Sequence, residues 1–459
     1  MKKFYTSIIM IACLFVSNNL VYGQTNQVIR NQIKTDANIT AATILSPEQM
    51  KRDIDYFFEV ITKVHPDIYA FADKDSIEKC KERYYSICSK PMQAIDFNKC
   101  IYQLNNMFDS QTSIYFNFWK SINNENNFFP VPVNTKDGKM YLYDTDKGKY
   151  LEILSINGET TTTIYNQLLN QNEVTAYHET RMGPKFPSSL YLYTNIRPPF
   201  SVVIDSGKRT ETIEYKGINI FNAEKAYEGL YKYPRYGFRI YPEKSIAIID
   251  YNTCSYNLND SFVRDRLNEI FDDMFQQVSD NNIQHLFLDI SRNEGGNSNL
   301  NSYLLKHIHR PDTVKLSFSV QNRYDPYSKD EQYELDSMNN WTNFKPLLPR
   351  QDGYSKQLYI IQGRRTSFPA MEISEWLGKM DNVTLIGEQT GRATGIYTNN
   401  VKFFLPESQI PFWCSHQHWN AIPNGRKDQG IVPDIPVKLN YDKPHYELND
   451  LLQFMEKKQ

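Results

Sequence analysis

Between residues 245 and 387 short apolar strands alternate with amphipathic helices, and this alternation restricts the possible folds more than any other feature of the chain. Residues 245–250 (SIAIID) form a nearly continuous apolar run of strand length. Residues 259–280 then place Phe262, Leu267, Ile270, Phe271, Met274, Phe275 and Val278 on one helical face. Residues 284–290 (QHLFLDI) read as a second buried strand, and 358–362, the helical 370–380 and 383–387 repeat the unit. Strands separated by single helices pair in parallel through right-handed crossovers, so 226–440 is expected to be an α/β core. On such sheets ligands sit where strands end and loops begin.

The segments before this core have other periods. At Ser46-Pro47-Glu48 serine is placed as N-cap and proline at the first helical position. Ile54, Phe57, Phe58, Ile61 and Val64 define one apolar face, and His65-Pro66 ends the helix, because a residue before proline is pushed out of the helical region. With helical stretches near 75–88 and 94–108, residues 46–120 form an N-terminal helical unit. Residues 126–222 are β-rich: 140–143 and 201–204 read as strands, Asp137-Gly138 and Ser206-Gly207 as turns, and Asn157-Gly158 as a tight turn before a helical 163–170. Residues 441–459 are assigned as a C-terminal tail.

At the other end Lys2 and Lys3 precede an apolar run at 8–16, and Val21-Tyr22-Gly23 offers a small-residue cleavage site. Residues 1–23 therefore read as a secretory signal peptide and 24–45 as a linker. Export follows, to a periplasmic or secreted location, with a lipid anchor through Cys13 as the alternative form. No later run approaches transmembrane length. Lys+Arg 51 against Asp+Glu 53 gives a net charge of −2, which argues against nucleic-acid or membrane-surface binding. Cleavage would leave Cys80, Cys88, Cys100, Cys254 and Cys414, without a CxxC pair or zinc spacing. An oxidising compartment allows one or two disulfides among them, and buried apolar thiols are an equal alternative.

Four loops could carry chemistry. Asp289-Ile290-Ser291-Arg292-Asn293-Glu294-Gly295-Gly296 ends a buried strand in paired glycines, whose N–H groups can receive an oxyanion. On spacing alone a tight turn before a helix at 298–308 is the plainer reading. Gly363-Arg364-Arg365-Thr366-Ser367-Phe368-Pro369-Ala370 follows the next strand and opens a helix, where the dipole stabilises an anion. Gly387-Glu388-Gln389-Thr390-Gly391-Arg392 and Gly430-Ile431-Val432-Pro433-Asp434-Ile435 complete the set.

In this order the loops resemble those of the tail-specific, C-terminal-processing peptidases of family S41. That family carries D-[LI]-R-x-N-x-G-G, matched by Asp289 to Gly296 with Ser291 replacing arginine. It then carries T-x-S-x-A, G-E-x-T-x-G and G-[IV]-x-P-D. His65-Pro66-Asp67-Ile68-Tyr69 is similar to its helix-ending HPxLY, and Leu154 to Gly158 to the ING turn of its PDZ-like module. The resemblance spans nearly the whole mature chain. It implies an α/β core of the ClpP/crotonase type, an N-terminal helical unit and a β-rich PDZ-like module. Asp289, Asn293, Thr366, Glu388, Thr390 and Asp434 are the motif positions, with Gly295 and Gly296 as backbone donors.

At the catalytic positions the chain departs from the family. The implied serine position is Phe368, and after G-E-x-T stands Arg392, which stays protonated and cannot act as a general base. The histidine of the family's D-G-H-T turn is replaced by Gln111, between Ser110 and Thr112. The glutamate expected before the last loop falls at Asp428-Gln429. A serine without a base is a poor nucleophile. The leading expectation is an exported S41-like protein, catalytically impaired, binding extended peptides or protein C-termini. The alternatives are an active serine endopeptidase using Ser367, and a non-enzymatic accessory subunit of a cell-envelope assembly. No cofactor or metal is expected. Cys414, His416 and His418 would share one strand face, and His307 and His309 lie close in sequence, but neither set completes a ligand shell. Tyr397, Phe403, Phe404, Phe412, Trp413 and Trp419 divide between core packing and a peptide cleft.

Overall fold

The computed structural model describes residues 39–457 apart from 71, 110, 145–148, 170–174, 208, 229–233, 256–260, 315–317, 323–338, 344–347, 392–394, 421–429 and 442. The signal segment, Cys13, Ser110, Arg392 and Asp428 lie outside the described residues.

Helix Pro47–Val64 begins at a capping box: Ser46 Oγ accepts the Gln49 N–H (3.3 Å) and Gln49 Oε1 accepts the Ser46 N–H (2.9 Å). It stops at His65, extended at ψ 134° ahead of Pro66. Helices Lys74–Ile87 and Ala94–Tyr102 follow, the latter continuing as a 3-10 turn, Gln103–Met107. Ile44–Leu45, assigned to the linker, instead pairs as a short strand with Met92–Gln93.

The next unit is an antiparallel sheet in the order Val133–Lys136, Lys139–Asp144, Lys149–Ile156, Phe200–Asp205, Thr210–Tyr215. Asn157 (φ 49°) and Gly158 (φ 82°) make the expected tight turn. Helix Thr161–Leu168 follows, capped by Thr160. Helix Thr175–Tyr193 was not anticipated, because Gly183, Pro184 and Pro187 argue against a helix interior. Phe129, Ile153, Phe186 and Phe200 fill the core between sheet and helices.

The third unit is the α/β core. Its sheet runs Tyr236–Tyr241, Ile246–Tyr251, His285–Asp289, Gln357–Gln362, Val383–Gly387, Ile435–Pro436. All neighbours are parallel except the first pair. Helices Ser261–Asp280 and Ala370–Leu377 make the crossovers. The helix expected at 298–308 is shorter, a 3-10 turn Ser298–Leu300 leading into Asn301–Leu305. A second sheet, Asn339–Asn343, Phe318–Asn322, Pro411–Asn420, Gly395–Phe404, takes Ser113–Ile114 beside Phe412 and Trp413.

The first helix lies over this second sheet. Phe57 and Phe412 rings meet at 5.2 Å, and the Asp53 carboxylate accepts the N–H groups of Glu407 (2.7 Å) and Ser408 (2.9 Å). Residues 441–459 are not a loose tail. Tyr446, Leu451 and Phe454, the last two from helix Leu448–Glu456, are buried against Ile248, Phe287 and Tyr359 of the core sheet.

Candidate functional site

The turn after strand His285–Asp289 is held by its own side chains. Asp289 accepts the Ser291 N–H (2.9 Å) and faces Arg292 at 3.2 Å, with both side chains buried. Arg292 also donates to the carbonyls of Asn440 (3.2 Å) and Lys443 (2.7 Å). Asn293 Nδ2 donates to the Tyr251 carbonyl (2.9 Å), and its Oδ1 accepts the Gly295 N–H (3.0 Å). Gly295 (φ 97°) and Gly296 (φ 137°) occupy backbone regions closed to other residues. A Cβ on Gly296 would lie 2.1 Å from the Cys254 carbonyl oxygen. The expectation of two free donors is corrected here: Asn293 holds the Gly295 N–H, whereas the exposed Gly296 N–H enters none of the described bonds.

The loop before helix Ala370–Leu377 docks directly on this turn. Thr366 Oγ1 donates to the Ile290 carbonyl (2.9 Å) and accepts the Gly363 N–H (2.9 Å). Ser367 N–H donates to the Asn293 carbonyl (3.0 Å), and a Cβ on Gly295 would meet the Phe368 carbonyl at 2.7 Å. Two motifs some seventy residues apart thus form one structure. Within it Ser367 is 3% exposed, its hydroxyl enters none of the described hydrogen bonds, and its carbonyl accepts the Met371 N–H (3.2 Å). Phe368 is partly exposed.

The remaining motif residues are fasteners. Glu388 accepts from Arg364 Nε (3.1 Å), Tyr441 Oη (3.0 Å) and the Leu439 N–H (3.1 Å). Thr390 Oγ1 accepts the Ile431 N–H (2.8 Å), and Asp434 accepts the Leu385 N–H (2.7 Å). Tyr441 Oη also accepts the Arg364 N–H (2.9 Å), and a Cβ on Gly363 would lie 2.1 Å from that oxygen. Glycine at 363 is what admits the tyrosine.

Gln111 follows a buried histidine–aspartate hydrogen bond. His65 Nδ1 accepts the Asp67 N–H (3.1 Å), so its Nε2 carries the ring proton and donates to Asp109 Oδ2 (2.9 Å). Asp109 Oδ1 accepts from Ser415 Oγ (3.0 Å) and the N–H groups of Gln111 (2.8 Å) and Thr112 (3.2 Å). Burial pushes the Asp109 carboxyl up, but its interactions with His65, Thr112 and Gln111 outweigh it and hold the group below its ordinary value. Both ring nitrogens of His65 are engaged inside the fold, so His65 is not placed to deprotonate a hydroxyl. Gln111 is partly exposed, and its carbonyl accepts from Asn400 Nδ2 (3.4 Å). Among the described residues no hydrogen bond joins Gln111 to Ser367 or Phe368.

The metal candidates separate. The His307 ring stacks on Phe275 at 4.5 Å, whereas His309 Nδ1 bonds the Gln351 carbonyl (2.9 Å). Cys414 and His416 are buried on strand Pro411–Asn420, and His418 stacks on Tyr397 at 4.4 Å. Among the described residues no group of three or more His, Cys, Asp or Glu could hold a metal ion. The His65–Asp109 pair and the role of Tyr441 were missed in the sequence. The only local sign of the first was a histidine ending a helix, and its partner lies 44 residues away.

The motif loops thus interlock at the ends of a mostly parallel core sheet. Residues 245–437 match the model of Peptidase family S41. The structure of mature CPAF complexed with lactacystin is similar at TM-score 0.62 and 12% identity, covering 90% of this chain and 98% of that one. A second mature CPAF structure gives 0.62, 12%, 90% and 97%. The photosystem II D1 C-terminal processing protease gives TM-score 0.44 at 12% identity, covering 85% and 93%. No curated protein matches the chain.

Proposed function

We propose that this protein is an exported member of the S41 family that holds an extended peptide or a protein C-terminus at the ends of its core strands without cleaving it. The observation that carries the reading is the loop at 363–370. Interlocked with the Gly295-Gly296 turn, it encloses Ser367 at 3% exposure and leaves Phe368 partly exposed at the position where the family pattern places serine. Gln111 at the pattern's histidine position cannot accept a proton from a hydroxyl at neutral pH. The retained Gly296 N–H supports peptide holding, because one exposed donor at a strand end can receive a carbonyl or a terminal carboxylate.

The mostly parallel core sheet supports a ClpP/crotonase-type reading of the fold. The antiparallel sheet with its two helices supports the PDZ-like reading of 126–222. Export rests on Lys2, Lys3 and the apolar run at 8–16. No described helix is long and apolar enough to cross a membrane.

Purified protein is to be incubated with a fluorophosphonate probe and with fluorescent unstructured peptides carrying free or amidated C-termini. The expected result is no labelling, no cleavage, and binding that weakens on amidation. Labelling lost in Ser367→Ala would overturn the impaired reading.

A further inference from the structure

The second sheet carries almost no charge. Strands Gly395–Phe404 and Pro411–Asn420 hold one lysine, Lys402, and no Asp, Glu or Arg. Phe403, Phe412 and Cys414 turn inward, into the cluster shared with helix Pro47–Val64. Lys402, Phe404 and Trp413 take the opposite face, as strand alternation requires, with Lys402 directly across from Trp413. The Lys402 Nζ lies 4.8 Å from the Phe404 ring centroid and 5.9 Å from that of Trp413. Tyr115, 51% exposed, adds a third ring 6.4 Å from Trp413. The rings hold the ammonium against the face, yet among the described residues no carboxylate pairs with it. Glu407, the nearest acidic residue in sequence, is engaged by Arg52 (3.0 Å).

Strand Gly395–Phe404 is also the last in its sheet, so one row of its backbone N–H and C=O groups has no strand partner among the described residues. The strand begins shortly after Gly391, whose N–H donates to the Thr366 carbonyl (3.0 Å) in the candidate site. Midway along it Asn400 Nδ2 donates to the Gln111 carbonyl (3.4 Å). The open edge and its aromatic face therefore continue outward from the candidate site.

On the reading that this chain holds an extended peptide, we infer that the peptide lies along this edge and places an acidic side chain against Lys402. An added strand satisfies the open backbone row. Its side chains alternate, so every second one falls on the outer face, where the rings offer apolar surface and Lys402 is the one charge on these two strands. A carboxylate arriving there meets an ammonium already placed by two rings, so little side-chain freedom is lost on pairing. A lysine on an edge also discourages pairing between copies of a chain, but that role predicts no preference for the sign of charge on a peptide.

The test uses the full chain and fluorescent peptides with free C-termini, identical except that one inner residue at a time is glutamate, glutamine or lysine. Binding is followed by anisotropy at low and high salt. At one or more positions glutamate should bind about 2- to 5-fold more tightly than glutamine, and lysine more weakly, with the difference fading at high salt. Lys402→Ala should erase the preference and Lys402→Glu should reverse it; the side chain is exposed, so both variants should fold. Wild type binding all three peptides alike would overturn this inference and leave the peptide-holding reading standing, whereas no binding by any peptide would overturn both. A preference that survives in Lys402→Ala would overturn the inference too. So would a dimer in sedimentation velocity that persists with peptide present, because a second copy would then occupy the edge.

Discussion

Two buried carboxylates respond to acid in opposite directions. Burial raises Asp53 from 3.8 to about 6, against the bonds it accepts from Ser408 and Glu407. In the folded chain it therefore binds a proton while the unfolded chain does not, so its contribution to stability increases as pH falls from above 6 towards 4. The gain is about 3 kcal/mol from a shift of roughly two units. Asp109 is held below its ordinary value, so the stability it contributes is present above the unfolded value near 3.8 and is lost as pH falls through its folded value. Urea unfolding from pH 7 to 4 should show wild type gaining stability relative to Asp53→Asn on acidification. A constant difference would contradict this account of Asp53. Asp109→Asn should lose about 1–3 kcal/mol, because an amide placed opposite the Nε2–H of His65 leaves a buried donor without its acceptor.

At the scale of elements, the Gly-Gly turn and the C-terminal segment are the places where a small change disturbs several loops. Gly296→Ala combines a left-handed φ with a Cβ 2.1 Å from the Cys254 carbonyl. It should lower the melting temperature and weaken peptide binding together. Tyr441→Phe removes the hydroxyl that joins the Arg364 N–H to Glu388 and should cost about 1–3 kcal/mol in chemical denaturation. An unchanged midpoint would mean that the C-terminal segment does not set the loops.

Much of this level was readable from sequence. The N-cap at Ser46, the strands at 246–251, 285–289 and 383–387, and the Asn157-Gly158 turn all depend on local periodicity or turn chemistry. Helix Thr175–Tyr193 was not readable, because Gly183, Pro184 and Pro187 oppose it and only packing against the sheet, through Phe186 and Leu190, overrides them. The site divides in the same way. Its glycines and threonines lie in recognisable strings, but that Asn293 takes the Gly295 N–H, that Tyr441 enters the loops, and that His65 pairs with Asp109 are all fixed by long-range geometry.

Taken as a whole, the molecule ties its strand-end loops to one another through polar side chains. Asp289, Asn293, Thr366, Glu388, Thr390 and Asp434 each close a turn or tie one loop to another. Fluorophosphonate labelling of wild type beside Ser367→Ala asks most directly whether a hydroxyl in this cleft is activated. The account predicts equally blank lanes for both proteins; a band in the first that is missing from the second would contradict it.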